Sequence, residues 1–139
     1  IIVEGLAEKF PNDGILSEEE ADSNSRLSKK RLWIIDPMDG TKGFVNKNGD
    51  FAVQIGLAEN GEMILGVVFL PFFNQLYYAS KDNGAFLVEN DETPRKLQVS
   101  EKEDFTTMNL AVSRNHRSPN MTTLRNYFGI PKETDRGSL

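Results

Sequence analysis

The sequence predicts an α+β fold in which an antiparallel meander sheet is flanked by helices. Three observations lead to this fold class. Apolar runs alternate with turn residues between positions 51 and 100, a helical period opens the chain, and a second helical period follows position 118. Because consecutive strands joined by tight turns pair antiparallel, the middle of the chain is expected to form a meander.

The first part of the chain predicts one helix and two strands. Apolar residues recur at helical spacing over 1–10, and Pro11 ends that helix. GILS at 14–17 predicts a short strand, and RLWIID at 31–36 has the length and β-branched content of a buried one. The polar, aperiodic segment 21–31 between them predicts a surface loop.

The middle of the chain carries two hairpin signals. Asn60 and Gly61 lie between FAVQIGLA and MILGVVFL, and Asn-Gly between apolar runs is a strong hairpin signal. LYYAS and GAFLV flank a second turn at 82–84, and RKLQVS at 95–100 predicts a further strand. These runs complete the predicted meander.

The last part of the chain predicts a second unit. NLAVS at 109–113 predicts a strand, and Ser118 and Pro119 are expected to cap and open a helix that continues to 128. We therefore predict two partial domains, a metal- and phosphate-binding α+β domain at 1–104 and the start of a second α/β domain at 105–139.

Composition limits the class of protein. The 139 residues, 38% hydrophobic and 27% charged, fit an ordinary soluble globular domain. There is no cysteine and one histidine, so disulfides, thiolate sites and a histidine-rich zinc site are excluded. The net charge of -5 argues against a nucleic-acid polymer as partner. No apolar run approaches the ~18–20 residues of a membrane span, and no signal peptide is evident, so we expect a cytoplasmic protein without membrane contact.

Acidic residues follow the two predicted strands of the first part. Asp36 ends RLWIID, and Asp39 is followed by Gly40 and Thr41, which could open a helix with free amide groups. Carboxylates beside anion-binding amides suit Mg²⁺ bridging to a phosphate. If GILS lies beside RLWIID, Glu18 completes a three-carboxylate pocket that a cation would neutralise.

Simpler interpretations of the acidic residues remain open. Glu18, Glu19 and Glu20 could form a solvated charge run, and DPMDG could be a proline turn with an aspartate helix cap. An EF-hand fits less well, because the Asp36 segment lacks the alternating oxygen ligands and the glutamate at the twelfth loop position.

ILSEE followed by WIIDPMDGTKGF resembles the signature of the magnesium-dependent, lithium-sensitive inositol monophosphatase superfamily. DGTKGF, GDFAVQIGL, VSRNH and the late glycine-serine pair are similar to its 3'(2'),5'-bisphosphate nucleotidases. The resemblance implies a layered α/β/α/β fold truncated at both ends, so that the chain is a piece of a longer protein. The family's upstream aspartate and its late W-D-x-A motif lie outside these 139 residues.

The resemblance also implies a role for each site residue. Metal ligands would be Glu18, Asp36, Asp39 and the carbonyl of Met38, with Glu19 as a supporting acid. Thr41 would position the attacking water, the Gly40 and Thr41 amides would bind phosphate, and His116 and Ser138 would contact the nucleotide. Without the resemblance, His116 would be interpreted as a surface residue of a polar loop.

The implied reaction is hydrolysis of a phosphate monoester with Mg²⁺, and the implied substrate is adenosine 3',5'-bisphosphate, giving AMP and phosphate. Two alternatives stay open. One is an inositol or sugar phosphate phosphatase that uses the same metal site. The other is a non-catalytic, incomplete metal-binding fragment. The sequence leaves the oligomeric state open.

Overall fold

The computed structural model describes residues 1–22, 24–114 and 116–137. In these ranges the helices are α1 (Ile2–Lys9), α2 (Thr41–Val45) and α3 (Met121–Tyr127). The strands are β1 (Gly14–Ser17), β2 (Arg31–Asp39), β3 (Ala52–Glu59), β4 (Glu62–Leu70), β5 (Gln75–Ser80), β6 (Gly84–Glu89), β7 (Arg95–Lys96), β8 (Asn109–Ser113) and β9 (Lys132–Arg136).

Strands β1 to β7 form one sheet in chain order. Strand β1 pairs parallel with β2, and every later neighbour in this sheet pairs antiparallel. The predicted α+β meander is therefore confirmed. Strands β8 and β9 form a separate parallel pair. The predicted division at 104/105 falls between the two sheets and stays a prediction.

The β3–β4 hairpin follows from its turn residues. Asn60 and Gly61 have φ angles of 51° and 83°, the left-handed region that a two-residue type I′ turn requires at both positions. This turn matches the right-handed twist of the strands, so the Asn-Gly signal correctly predicts the hairpin. The second turn likewise places Asp82 and Gly84 at positive φ, 66° and 86°.

Four local predictions are wrong or incomplete. The segment 21–31 contains a 3-10 turn at Ser25–Ser28. Strand β2 continues past Asp36, irregularly, because Pro37 has no N–H for the ladder. Strand β7 covers only the first two residues of the predicted 95–100. Helix α3 begins at Met121, because 118–120 form a preceding turn in which the Met121 N–H donates to the Ser118 carbonyl at 3.1 Å.

The core of the larger sheet is centred on β2. Trp33 and Ile35 are buried on one face, and α1 is attached there through Phe10, whose ring lies 5.3 Å from that of Trp33. The Trp33 indole N–H donates to Asp13 at 2.9 Å, which satisfies its polar group. Ile34 points to the opposite face and is 39% exposed. No helix in the described ranges is long and apolar enough to span a membrane.

Candidate active site

Strand pairing brings Glu18 and Asp36 to one edge of the larger sheet. Strand β1 runs parallel to β2 with Ser17 opposite Ile35, and the Glu18 N–H donates to the Ile35 carbonyl at 3.2 Å. The next residue of each strand therefore emerges at the same edge. The structure therefore brings Glu18 and Asp36 together at this edge, as the sequence predicts.

The carboxyl groups of Glu18 and Asp36 lie close enough to repel each other. The charge of Asp36 is the largest cause that raises the pKa of Glu18 above its ordinary value of 4.5. Loss of hydration, the hydrogen bond with Asp36 and the charges of Glu19 and Asp39 act in the same direction. A cation beside the two carboxyl groups would offset this repulsion and favour the ionised form of Glu18.

Each of the two aspartates of β2 accepts a hydrogen bond from a different donor. The Asp36 carboxylate accepts from the Met38 N–H at 3.0 Å, and the Asp39 carboxylate accepts from the side-chain amide of Gln54 at 2.7 Å. Gln54 lies opposite Asp36 on β3. It therefore orients Asp39 from the neighbouring strand, and the sequence alone suggested no such role.

These residues fit a metal in their chemistry and only partly in their arrangement. In the described ranges, no group of three or more acidic or histidine side chains is placed to hold a metal ion. The predicted three-carboxylate pocket is present as the Glu18–Asp36 pair, with Asp39 drawn to Gln54 instead. Hard carboxylate oxygens suit a hard cation. The ligand set, including the Met38 carbonyl, stays a prediction.

Helix α2 begins at Thr41, as the sequence predicts. Gly40 caps it with φ at 87°, which favours glycine at this position. The N–H groups of Gly43 and Phe44 donate back to the Gly40 carbonyl at 2.8 and 3.1 Å, so they are used within the helix. The expected phosphate contacts of the Gly40 and Thr41 amides, and the water-positioning role of Thr41, stay predictions.

The remaining predicted site residues come from three separate segments of the sequence. Glu19 is exposed and lines a cleft with Ile35 and Pro37. His116 is exposed after β8, and its N–H donates to the Ser113 hydroxyl at 3.1 Å. Ser138 lies outside the described residues. The roles assigned to Glu19, His116 and Ser138 therefore stay predictions.

An ion pair between a buried aspartate and an exposed arginine lies next to this site. Asp50, 8% exposed, precedes β3 and pairs with Arg114, which follows β8. The sequence pointed to the run GDFAVQIGL without assigning a role to its aspartate. An acidic residue beside glycine is typical of a loop, and only the tertiary structure brings Arg114 to it.

Comparison with known proteins identifies the family. The model of the inositol monophosphatase family matches residues 1–137, so the chain belongs to this family, whose members are phosphatases that generally depend on a metal. A 3'(2'),5'-bisphosphate nucleotidase CysQ of Buchnera aphidicola is 43% identical over 92% of the chain. An inositol-1-monophosphatase of Bacillus subtilis is 36% identical over 72% of the chain.

A solved structure supports the same assignment. CysQ from Bacteroides thetaiotaomicron superposes on 98% of the chain with a TM-score of 0.74 and 26% identity. The predicted family, its similarity to bisphosphate nucleotidases and the inositol monophosphatase-like fold are confirmed. The chain spans 46% of the Buchnera protein, 38% of the Bacillus protein and 56% of the Bacteroides structure.

Proposed function

We propose that the protein carrying this chain is a cytoplasmic, lithium-sensitive phosphatase that converts adenosine 3',5'-bisphosphate to AMP and phosphate with Mg²⁺. The observation that carries the proposal is the 43% identity to a relative named as a 3'(2'),5'-bisphosphate nucleotidase. In this proposal 1–104 is the metal- and phosphate-binding domain, and 105–139 begins the domain that contacts the nucleotide.

The acidic edge of the larger sheet is the proposed metal site. Glu18, Asp36, Asp39 and the Met38 carbonyl would hold the ion. When bound there, Mg²⁺ supplies positive charge to the phosphoryl oxygens and lowers the pKa of water. The Glu18–Asp36 pair supports this assignment, because its mutual repulsion is the condition that a cation relieves.

The chain's own groups would orient the reactants. The Thr41 hydroxyl would hold the attacking water, with Glu19 as the supporting acid. The amides of Gly40 and Thr41 would donate to the phosphate at the start of α2. Gln54 keeps the Asp39 carboxylate in place through its 2.7 Å hydrogen bond. No covalent intermediate is needed.

Recognition of a second phosphate would distinguish this enzyme from an inositol phosphatase. Lys42 is exposed in the first turn of α2, where a cation can meet a second phosphate, and His116 and Ser138 would contact the same nucleotide. A charge-assisted hydrogen bond of this kind contributes about 1.5–3 kcal/mol, which corresponds to a preference of roughly tenfold or more.

The test is phosphate release by the whole protein from adenosine 3',5'-bisphosphate, AMP and inositol 1-phosphate, with Mg²⁺ and with or without Li⁺. We expect kcat/KM to be at least about tenfold higher for the bisphosphate, and Li⁺ to inhibit. The similarity to the Bacillus inositol-1-monophosphatase favours an inositol or sugar phosphate phosphatase as the second candidate. Equal or higher kcat/KM for inositol 1-phosphate would select that candidate and reject the nucleotidase.

A further inference from the structure

Asp50 contacts residues of both units of the fold. Its side chain is buried, and its ion-pair partner Arg114 belongs to the second unit, 64 positions later in the chain. The Asp50 N–H donates to the Asn48 side chain at 3.0 Å, which fixes the loop between α2 and β3. A buried carboxylate needs such a partner, because an unpaired buried charge is strongly unfavourable.

Two glycines from different parts of the fold lie directly against Asp50. A Cβ atom on Gly43, inside α2, would overlap the backbone carbonyl of Asp50. A Cβ atom on Gly137, directly after β9, would overlap the Asp50 side chain. Glycine at both positions therefore allows α2 and the end of β9 to approach the same residue. This accounts physically for Gly43 in DGTKGF and for the glycine of the glycine-serine pair.

Besides this ion pair, Arg136 of β9 lines a cleft with Leu70 and Tyr77 of the larger sheet. The extensive contacts between elements all lie within one sheet or between β1 and its neighbours. The Arg114 N–H donates to the Arg136 carbonyl at 2.6 Å, so Arg114 also ties the ends of β8 and β9 together. Through Arg114, Asp50 thus holds both strands of the smaller sheet against α2.

We propose that Asp50 is a positioning residue that sets the distance between the phosphate site at α2 and the nucleotide-contacting segment after β8. His116 lies two positions after Arg114, so the ion pair fixes where that segment begins. This proposal rests on the proposed function in one respect, namely that the substrate's two phosphates engage both segments. Asp50 itself touches neither substrate nor metal.

Kinetics on the whole protein provide the first test. Asp50→Asn, Asp50→Ala and Arg114→Ala should raise KM for adenosine 3',5'-bisphosphate at least about tenfold. The KM for inositol 1-phosphate should change less than about threefold, and kcat should be retained, because the phosphate site and its metal ligands are unchanged. Arg114→Lys keeps the charge and should restore part of the affinity. Arg95→Ala is the matched control, since Arg95 forms an exposed ion pair with Glu89 far from this junction.

Hydrogen exchange provides a second test that does not depend on activity. In Asp50→Ala and Gly137→Ala, amides of β8 and β9 should exchange faster, while those of β3 to β5 keep their protection. Gly5→Ala is the control glycine, because a Cβ atom there has no neighbour within 4 Å.

The two tests separate the two proposals. If the wild-type protein releases no phosphate from any of the substrates, the proposed function is rejected and exchange alone decides the role of Asp50. Unchanged exchange in both variants would overturn the positioning role, whatever the activity. Equal changes of KM for both substrates would overturn the claim that Asp50 serves recognition of the second phosphate.

Discussion

Asp36 affects Glu18 more than any other neighbouring carboxylate does. It is the largest cause of the raised pKa of Glu18, and it also accepts the Met38 N–H at 3.0 Å. That N–H bond fixes the irregular end of β2 after Pro37. Asp36 therefore both shapes the backbone and supplies the charge that a cation would offset.

Asp36→Asn should abolish turnover in the whole protein while leaving the fold intact. Losing residues that merely support metal ligands typically costs 10- to 100-fold, so losing Asp36, a proposed ligand, should cost at least about 100-fold. Asparagine keeps the acceptor for the Met38 N–H, and repulsion with Glu18 falls. The measurement is phosphate release at saturating Mg²⁺, with circular dichroism to monitor folding. Glu20→Gln is the control from the same acidic segment, and normal turnover in Asp36→Asn would remove Asp36 from the site.

Asp104 predicts a pH dependence of stability outside the site. The backbone N–H of Thr106 and then its hydroxyl lower the pKa of Asp104 below its ordinary value of 3.8. A lowered pKa in the folded state means that the ionised form stabilises the fold. This contribution is present above the unfolded pKa and is lost as the pH falls through the folded pKa.

Asp104→Ala should therefore lower the free energy of unfolding at neutral pH, and the difference from wild type should disappear in acid. Asp104→Asn keeps an acceptor oxygen for the Thr106 N–H without a titrating group, so it should lose less stability and show less pH dependence. Urea denaturation at several pH values measures both effects. An NMR titration that placed the pKa of Asp104 above 3.8 would contradict the argument.

At the scale of elements, the sequence predicted those whose residues carry their own local signal. Strands β3 to β6 are apolar runs bounded by turn residues, and α1 has a helical period ended by Pro11. Strand β9 has the sequence KETDR, which shows no apolar alternation. Only its pairing with β8 identifies it as a strand, so the sequence did not predict it. The start of α3 was placed too early, since Ser118 and Pro119 suit a turn as well as a cap.

The candidate site was likewise predictable only where local sequence patterns indicate it. The Glu18–Asp36 pair follows from two strand ends lying side by side, which the sequence suggested. The role of Gln54 could not be seen, because it depends on the register of β3 against β2. The Asp50–Arg114 pair joins distant segments, and no local pattern in either segment indicates it.

Two glycines in different elements should respond oppositely to alanine. Gly5 lies inside α1 with open space around a Cβ atom, so Gly5→Ala should stabilise the protein by about 0.5–1 kcal/mol. Gly61 has φ at 83° in the β3–β4 turn, so Gly61→Ala should destabilise it by about 1–2 kcal/mol. Chemical denaturation of both variants measures the two shifts. Destabilisation by Gly5→Ala would show that α1 needs glycine for another reason.

The 139-residue chain exposes more surface than a compact monomer of the same mass would. A compact monomer of its mass, 15.6 kDa, would expose about 7,300 Å², whereas the chain exposes 9985 Å². No large side chain in the described ranges is fully buried, and Ile34, Met63 and Tyr127 are 39%, 53% and 82% exposed. The excess of about 2,700 Å² is as large as an extensive protein interface.

The isolated 139-residue chain should therefore self-associate. The face of the larger sheet opposite Trp33 carries Ile34 beside Gly56 and Gly66, which leave a shallow apolar groove across the central strands. Burying such a face releases water and stabilises a complex between copies. Sedimentation velocity over a concentration series should show species larger than the monomer. Ile34→Lys should shift the distribution toward monomer, whereas Thr93→Glu in the exposed β6–β7 loop should not. A chain that stays monomeric at high concentration would show that the exposed apolar surface is too dispersed to form an interface.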